Sequence, residues 1–395
     1  MAEIHRHTQA LHKKLSGSKP LRLLYLSSFI FSIHLALMAY VNSTFLTNYI
    51  PEAMVGVIYA TGSIMGIFMI SKFPAILKRF GNYRTMTAVL VLSMASLFGL
   101  SNINSGFLII PVFIFYLSFN SLVLLSLDIF VERYANPETM GKTRGMVLTF
   151  INLAWIFSPF IASRIITSGG YGSIYTIGFF IIIPIFLIIT FGFKKFSDPE
   201  YIPLRIRQTF KKVFQNKNIF NICVASFILQ FFYTLMVIYT PIYLSRELGY
   251  SWETLGIIFT VMLTPFVLLE LPLGKLADRL LGEKEILITG FIIAGLATYA
   301  VAHIGKATPV IWAVTLFATR VGASMIEVMT ESYLFKKVKN NETDIIGFFR
   351  GLAPIAVVVA SLLGTIILAV FSFSVLFTIL AFILFSGVII TLRIK

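Results

Sequence analysis

The chain has 395 residues, of which 57% are hydrophobic and only 12% are charged. Soluble domains carry about 25% charged residues, so this composition excludes a soluble globular protein and indicates a membrane protein with many spans. The net charge of +15 would suit a nucleic-acid-binding protein, but the distribution of the charges along the chain excludes that class.

Residues 1–20 are basic and lack a cleavage site of small residues, so we interpret them as a cytosolic tail and not as a cleaved signal peptide. Twelve apolar segments follow, each near the ~20 residues needed to cross the hydrocarbon layer. We number these spans 1 to 12. Their centres lie near Leu35, Ser63, Val91, Phe115, Ala154, Ile182, Ile228, Val261, Ala294, Thr319, Val358 and Ile379.

The connections between spans are too short for soluble domains, except for the basic, proline-interrupted stretch 194–217. The sequence therefore predicts an all-α protein with twelve transmembrane helices in two pseudo-symmetric six-helix bundles, residues 21–193 and 218–395. Residues 194–217 are predicted to form a cytosolic linker between the bundles. The only cysteine, Cys223, lies in an apolar run, which excludes disulfides and a cysteine-based metal cage.

All but four of the 32 Lys and Arg residues fall on one side of this topology. They lie in the N-terminal tail, in the loops after even-numbered spans, at the start of span 11 and at the C-terminus. Arg164, Arg246 and Lys306 lie on the opposite side, and Arg320 lies at mid-depth. By the positive-inside rule, both termini are predicted in the cytosol, with the protein in a cell membrane.

The two halves repeat with an offset of about 200 residues, as expected of six-span units related by an axis along the membrane normal. In each half, acidic residues four apart end the fourth span, and an Arg-Gly pair opens the fifth. These positions are Asp128 and Glu132 against Glu327 and Glu331, and Arg144 against Arg350.

Between spans 8 and 9, residues 274–284 read Gly-Lys-Leu-Ala-Asp-Arg-Leu-Leu-Gly-Glu-Lys. This order resembles the signature loop of the major facilitator superfamily, with two residues between Arg279 and Gly282 where the family usually has one. Together with the repeat, the resemblance extends from Leu21 to Arg393. It implies a monomeric transporter that moves a small molecule by alternating access, and no enzymatic activity.

The resemblance also implies that loop and span-end charges form a cytosolic gate. Lys78 stands where the family has its acid in the first loop copy, so we expect Lys78 or Arg79 to pair with Glu132. Asp278 is expected to meet an arginine at the start of span 5 or 11, or a helix N-terminus. The alternative is a set of solvated loop charges. The gate would comprise Arg79, Glu132, Arg144, Gly274, Asp278, Arg279, Gly282, Glu331 and Arg350.

Span 5 has small residues where the antiporter motif of the family has glycines, and it keeps the proline. The resemblance therefore favours export over uptake, while ordinary close packing of small residues is the alternative. The positions concerned are Ala154, Ser158, Pro159 and Ala162.

Polar groups occur at mid-depth on spans 1, 4, 5, 7 and 10, whereas spans 3, 6, 9 and 12 carry little beyond Ser and Thr. A charge at the bilayer centre costs ~2.5–3.5 kcal/mol, so such groups need a partner, water or a functional role. In the superfamily fold, spans 3, 6, 9 and 12 face lipid. We therefore expect a central cavity lined by His34, Asn120, Asn152, Trp155, Gln230, Tyr233 and Arg320.

Arg320 is predicted to anchor an anion or to act as a counter-ion, the alternative being a structural partner such as Glu270 or Glu327. His34 is a candidate proton carrier, since its ordinary pKa lies near 6.5, the alternative being a hydrogen bond between helices. Protons are the expected coupling ion. The coupling candidates are His34, Glu270, Glu327 and Asp128.

No phosphate-binding loop, metal cluster or cofactor motif occurs in the sequence, so an ion gradient is expected to drive the protein. The predicted function is proton-coupled transport of a small organic solute, with export slightly favoured. One alternative is uptake or facilitated passage of an anionic metabolite anchored by Arg320. Another is a sensor or scaffold that keeps the fold without transport.

Overall fold

The computed structural model describes residues 19–134, 140–199, 201, 206–277, 282–338 and 343–394. All regular structure within these ranges is helical. A 3₁₀ turn (Glu52–Met54) and a π turn (Tyr243–Glu247) accompany twelve α-helices. These are α1 (Lys19–Ala39), α2 (Asn42–Leu46), α3 (Val55–Asn102), α4 (Gly106–Tyr134), α5 (Met140–Gly192), α6 (Ile206–Gln215), α7 (Lys217–Ile242), α8 (Trp252–Leu276), α9 (Gly282–His303), α10 (Pro309–Lys337), α11 (Thr343–Val370) and α12 (Phe373–Leu392).

Ten helices in the described part of the chain are long and apolar enough to cross a membrane. Two of them, α3 with 48 residues and α5 with 53, are each interrupted by a glycine with positive φ, 77° at Gly81 and 72° at Gly170. Because a bilayer needs only ~20 residues and a left-handed residue breaks a helix, each contains two spans. The twelve predicted spans are thus confirmed.

Span 1 is α1, spans 2 and 3 form α3, span 4 is α4, and spans 5 and 6 form α5. Spans 7 to 12 are α7 to α12. Since the number of spans is even, the start of α1 and the end of α12 lie on the same side of the membrane. We call this the terminal side and the opposite one the far side.

Several helices begin at a polar residue that satisfies the first free amide groups. Asn216 accepts hydrogen bonds from the backbone N–H of Asn218 (3.1 Å) and of the next residue, and so caps α7. Thr308 caps α10 in the same way, with Pro309 at the first helical position. These are the residue types that start helices, because an apolar environment offers no water to those amides.

The chain packs as two compact units. The first unit is drawn from Met1–Ala39, Met65–Ser158 and Ser168–Pro203, and the second from Tyr40–Ile64, Pro159–Thr167 and Leu204–Lys395. The second unit thus includes two segments from the first half of the sequence. The division of the chain at residues 194–217 is a division by sequence, and it stays a prediction.

Within the second unit, α9 packs on α10 and α12, α8 packs on α10, and α11 packs on α7. Small residues allow the closest of these contacts: a Cβ at Gly322 would lie 2.8 Å from the Cβ of Ala294 on α9. At the terminal side, Lys284 donates to the carbonyls of Leu392 (3.0 Å) and Ile394 (2.7 Å), which ties the start of α9 to the end of α12.

Within the first unit, Asp198 caps the second half of α3 from a distant position in the chain. Its Oδ1 accepts a hydrogen bond from the backbone N–H of Asn82 (2.7 Å) and another from the Tyr201 hydroxyl. Burial and the Asp198 carboxylate both raise the pKa of Tyr201, so the phenol keeps its proton. A Cβ at Gly81 would lie 2.5 Å from Oδ2, so this corner requires glycine for space as well as for its positive φ.

Replacing Asp198 with alanine is expected to lower the stability of the protein by about 1 kcal/mol, the usual contribution of a helix N-cap. Asp198→Asn keeps an acceptor oxygen and loses only the charge, so it should cost less. Thermal melting of the purified variants measures both. Equal melting temperatures for Asp198→Ala and wild type would show that the carboxylate does not support α3.

Candidate functional site

The most deeply buried charge that the structure describes is the guanidinium of Arg320 on α10. The residue is 1% exposed. Its Cζ lies 5.1 Å from the ring centroid of Phe232 and 5.9 Å from that of Tyr233, both on α7. Two consecutive aromatic residues thus present rings to one desolvated cation, an arrangement in which each contact contributes on the order of 2 kcal/mol.

Tyr233 connects this cation to a carboxylate. Its hydroxyl donates to Oε2 of Glu327 at 2.7 Å, while its ring faces Arg320. Arg320 and Glu327 are seven residues apart on α10, so their positions differ by two turns, roughly 10 Å. The ion pairs found among the described side chains do not include one between them. The predicted structural partner Glu327 is therefore reached through Tyr233, and Glu270 lies outside the described side chains.

One nitrogen of the guanidinium, Nη1 of Arg320, is buried and has no hydrogen-bond partner among the described residues. An unsatisfied charged donor in an apolar interior is costly, and proteins retain such a group where it has a role. Because a guanidinium presents donors in a planar fork, carboxylates and phosphates are its preferred ligands. The cluster of Arg320, Phe232, Tyr233 and Glu327, here called the arginine cluster, can therefore bind an anion.

A second polar cluster lies within the first unit, around the fully buried His34 of α1. Its Nε2 is 3.3 Å from the Tyr116 hydroxyl on α4, and that hydroxyl donates to Sδ of Met38 at 2.9 Å. The side chain of Asn120, one turn further along α4, also lies against the His34 ring, so the structure brings two of the predicted cavity residues together.

His34 thus makes a hydrogen bond between two helices, which is the predicted alternative to a role as proton carrier. Its ring also packs against Phe31 and Tyr116, with centroid distances of 5.6 Å and 5.8 Å. Gly178 of span 6 lies behind it, where a Cβ would be 3.2 Å from Nδ1. Within the first unit, the structure brings His34 close to Tyr116, a residue that the sequence analysis did not select.

The remaining predicted cavity residues are Gln230, Trp155 and Asn152. Gln230 is half-buried one turn before Thr234 on α7, and Trp155 is half-buried on α5. The side chain of Asn152 lies outside the described residues. Among the described side chains, no group of three or more His, Cys, Asp or Glu could hold a metal ion.

Several predicted gate residues are exposed at helix ends: Glu132 on α4, Glu331 on α10 and Arg350 on α11. Arg79 lies over the Phe80 ring at 5.2 Å, and the described side chains show no ion pair that joins Lys78 or Arg79 to Glu132. Of the signature loop, Gly274 and Gly282 are described, and Gly282 has a φ of 73°. The side chains of Arg144, Asp278 and Arg279 lie outside the described residues, so the pairing of Asp278 stays a prediction.

The small residues of span 5 are buried, and Pro159 is buried with them. Ser158 donates back to the carbonyl of Ala154 at 2.7 Å. One turn further, a Cβ at Gly256 of α8 would lie 2.6 Å from the Cβ of Ser163. This segment therefore makes a close helix–helix contact, which is what small residues in membranes provide.

A seam of close contacts at the far side was not predicted. Gly56 of α3 packs against α7 and α11, where a Cβ would lie 2.5 Å from Oγ1 of Thr365 and closer still to the Ser361 carbonyl and the Tyr239 hydroxyl. Also at the far side, Arg164 and Glu253 form an ion pair of 3.8 Å. The sequence offers one sign of this seam, a glycine at the start of an apolar run. Such a glycine does not indicate which helices it packs against.

Twelve apolar spans with buried polar clusters at mid-depth define a membrane transporter with many spans. The sequence model of the Major Facilitator Superfamily matches residues 23–256 and 222–395 of this chain. The chain therefore belongs to the Major Facilitator Superfamily, and it is a transporter and not an enzyme. Its multi-pass, all-α architecture is that of the family.

The fold is similar to the crystal structure of the nucleoside transporter NupG. The TM-score is 0.74 at 13% sequence identity, over 96% of this chain and 100% of that one. A single-residue mutant of NupG gives a TM-score of 0.72 at 12% identity, over 95% of this chain and 100% of that one. No curated protein matches the chain by sequence. At such low identity, the likeness concerns the fold alone.

Proposed function

We propose that this transporter moves a small anionic organic solute together with protons, and that Arg320 binds the anion. The observation that carries the proposal is the buried Nη1 of Arg320, which has no partner among the described residues. The Phe232 and Tyr233 rings hold the guanidinium in place, so little ordering is required when an anion binds. Alternating access driven by an ion gradient would then complete the cycle.

The proton is proposed to bind at Glu327. An anion bound at Arg320 would lie roughly 10 Å from Glu327, and two like charges at that distance repel by about 1.7 kcal/mol at an effective dielectric constant near 20. An ionised Glu327 therefore lowers the affinity for the anion, and protonation of Glu327 removes this repulsion. Anion affinity should increase roughly tenfold on protonation, and by linkage the bound anion favours protonation equally.

When the proton and the anion each increase the affinity for the other, the two are transported together. Such cotransport moves the solute into the cell when the proton gradient is directed inward. Export by antiport, which the span 5 motif favours, would instead require the proton and the solute to compete. The two mechanisms predict opposite changes of solute affinity as pH falls. The distribution of Lys and Arg supports a cell membrane with both termini in the cytosol.

A neutral nucleoside is the second candidate solute, because the fold resembles that of the nucleoside transporter NupG. Aromatic rings such as those of Phe232 and Tyr233 stack on nucleobases, but here both already face Arg320. A nucleoside would leave the charge of Arg320 uncompensated. The anion is therefore favoured.

Proteoliposomes that contain a pH-sensitive dye test this function. Addition of a transported carboxylate should acidify the lumen as protons enter with it, and a sensor or scaffold would give no flux. Glu327→Gln keeps an acceptor for the Tyr233 hydroxyl and cannot take up a proton. We expect it to exchange solute across the membrane without moving protons.

Glu285→Gln is the matched control, because Glu285 is exposed on α9 and belongs to neither the arginine cluster nor the predicted gate. It should retain proton flux. Proton-coupled transport at the wild-type rate in Glu327→Gln would contradict the assignment of Glu327.

A further inference from the structure

A basic cavity lies at the terminal side of the second unit, away from the arginine cluster. Its volume is about 410 Å³. It forms where the end of α6, the start of α7 and the end of α12 meet. It is lined by Lys212, Gln215, Asn216, Lys217, Asn218 and Arg393.

The cavity is positively charged, and the described residues that line it include no carboxylate. Lys212 is partly neutralised by Asp344 at 2.8 Å, whereas the ion pairs of the described side chains include neither Lys217 nor Arg393. Arg393 is held in position because Lys284 binds the carbonyls of the residues on either side of it. Two cations thus face one polar cavity from different helices.

The position of the cavity places it in the headgroup layer. Lys217 begins α7 and Arg393 immediately follows α12, so the cavity lies at the ends of two membrane spans. The adjoining helix α6 is amphipathic: it buries Thr209 and Val213, and leaves Phe210 and Phe214 49% and 51% exposed. A short helix with basic residues and exposed phenylalanines is typical of a segment that lies in the membrane interface.

We propose that this cavity binds the phosphate of an anionic phospholipid, with Lys217 and Arg393 as the principal contacts. Basic pockets between spans at the membrane interface have this role in other membrane proteins. The exposed Phe210 and Phe214 favour a lipid over a free phosphate, because a lipid also supplies acyl chains for them to contact. Lys212 and Thr209 bind Asp344 at the start of α11, so the same site would stabilise α6 against that helix.

The test uses the purified full-length protein in neutral detergent, with phosphatidylglycerol or phosphatidylcholine added. Phosphatidylglycerol should raise the melting temperature by several degrees and should be retained in native mass spectra, while phosphatidylcholine should do neither. Lys217→Gln combined with Arg393→Gln should lose most of both effects. The matched control is Lys19→Gln with Arg22→Gln, two exposed basic residues at the start of α1, which should retain both.

Lys217→Arg with Arg393→Lys keeps the charges, and it should retain lipid even if the neutral variant folds less well. Loss of lipid binding in this charge-conserving variant would overturn the proposal, as would equal stabilisation by the two lipids. Inorganic phosphate is the third arm. If phosphate alone matched the effect of phosphatidylglycerol and displaced it, the cavity would be a site for small anions and the lipid assignment would be wrong.

Discussion

Replacing Arg320 with methionine should eliminate solute binding without harming the fold. The change removes the only charge in the arginine cluster that an anion can pair with, and a charge-assisted hydrogen bond contributes about 2 kcal/mol, roughly 30-fold in affinity. Methionine has a similar length and needs no hydrogen-bond partner. The variant loses the cation–π attraction to Phe232 and Tyr233, although methionine can still pack against both rings. It also removes the desolvation cost of a guanidinium that is 1% exposed with Nη1 unpartnered among the described residues. These effects offset each other, so the melting temperature should stay unchanged or rise.

Opposite effects on binding and stability distinguish a binding residue from a structural one. If Arg320 served mainly to hold α7 and α10 together, Arg320→Met would lower the melting temperature along with the affinity. Arg320→Lys keeps the charge but not the planar fork, so it should retain part of the affinity. Arg246→Met is the control, since Arg246 is exposed at the far side and contacts Thr47 and Asn48. It should bind solute normally.

Replacing Gly56 with alanine should open the far-side seam. The added methyl group would overlap the backbone of α11 at the Ser361 carbonyl, which cannot yield as a flexible side chain would. Overpacking of this kind costs about 1–3 kcal/mol, so separation of α3 from α7 and α11 should become roughly tenfold more frequent. The helix itself gains from the exchange, because alanine is the better helix former.

The seam can be followed with a cysteine reporter, since Cys223 is the only cysteine in the chain. In a Cys223→Ala background, Ser361→Cys places a buried thiol beneath Gly56. A membrane-impermeant thiol reagent should label it faster when Gly56→Ala is present. Gly66→Ala on the same helix is the matched control, because a Cβ there has 3.7 Å of clearance and should leave labelling unchanged. Equal labelling in the two variants would contradict the role of the seam.

The number of membrane spans could be predicted from the sequence because it depends on composition. Lipid requires every span to satisfy its own backbone hydrogen bonds, so apolar runs of sufficient length become helices with little influence from their neighbours. Arg320 could be singled out for a similar reason, since the cost of a buried charge is a property of the residue and its depth.

The surroundings of Arg320 could be predicted only in part. Tyr233 was selected for its depth, but not for its contacts with both Arg320 and Glu327. Phe232 was missed because the chain contains 39 phenylalanines, and nothing local distinguishes one that faces a cation. The rotation of each helix about its own axis determines which side chains contact each other. That rotation depends on how closely the neighbouring helices pack, which the local sequence does not specify.

The cap that Asp198 forms on α3 is a second contact that the local sequence does not predict, and its partners are far apart in the chain. The sequence predicts a pairing of Lys78 or Arg79 with Glu132 near this cap, and it assigns no role to Asp198. In the structure, the carboxylate of Asp198 caps the helix at Asn82, 116 positions away along the chain. Its local sequence gives no sign of that partner.

The most direct test of the central claim is the binding of matched pairs of small carboxylates and their neutral amides to the purified protein at pH 6 and pH 8. Anchoring by Arg320 predicts that a carboxylate stabilises wild type and its amide does not. The effect should be larger at pH 6 and absent in Arg320→Met. A neutral amide or a nucleoside that stabilised wild type and Arg320→Met equally, at both pH values, would contradict the account.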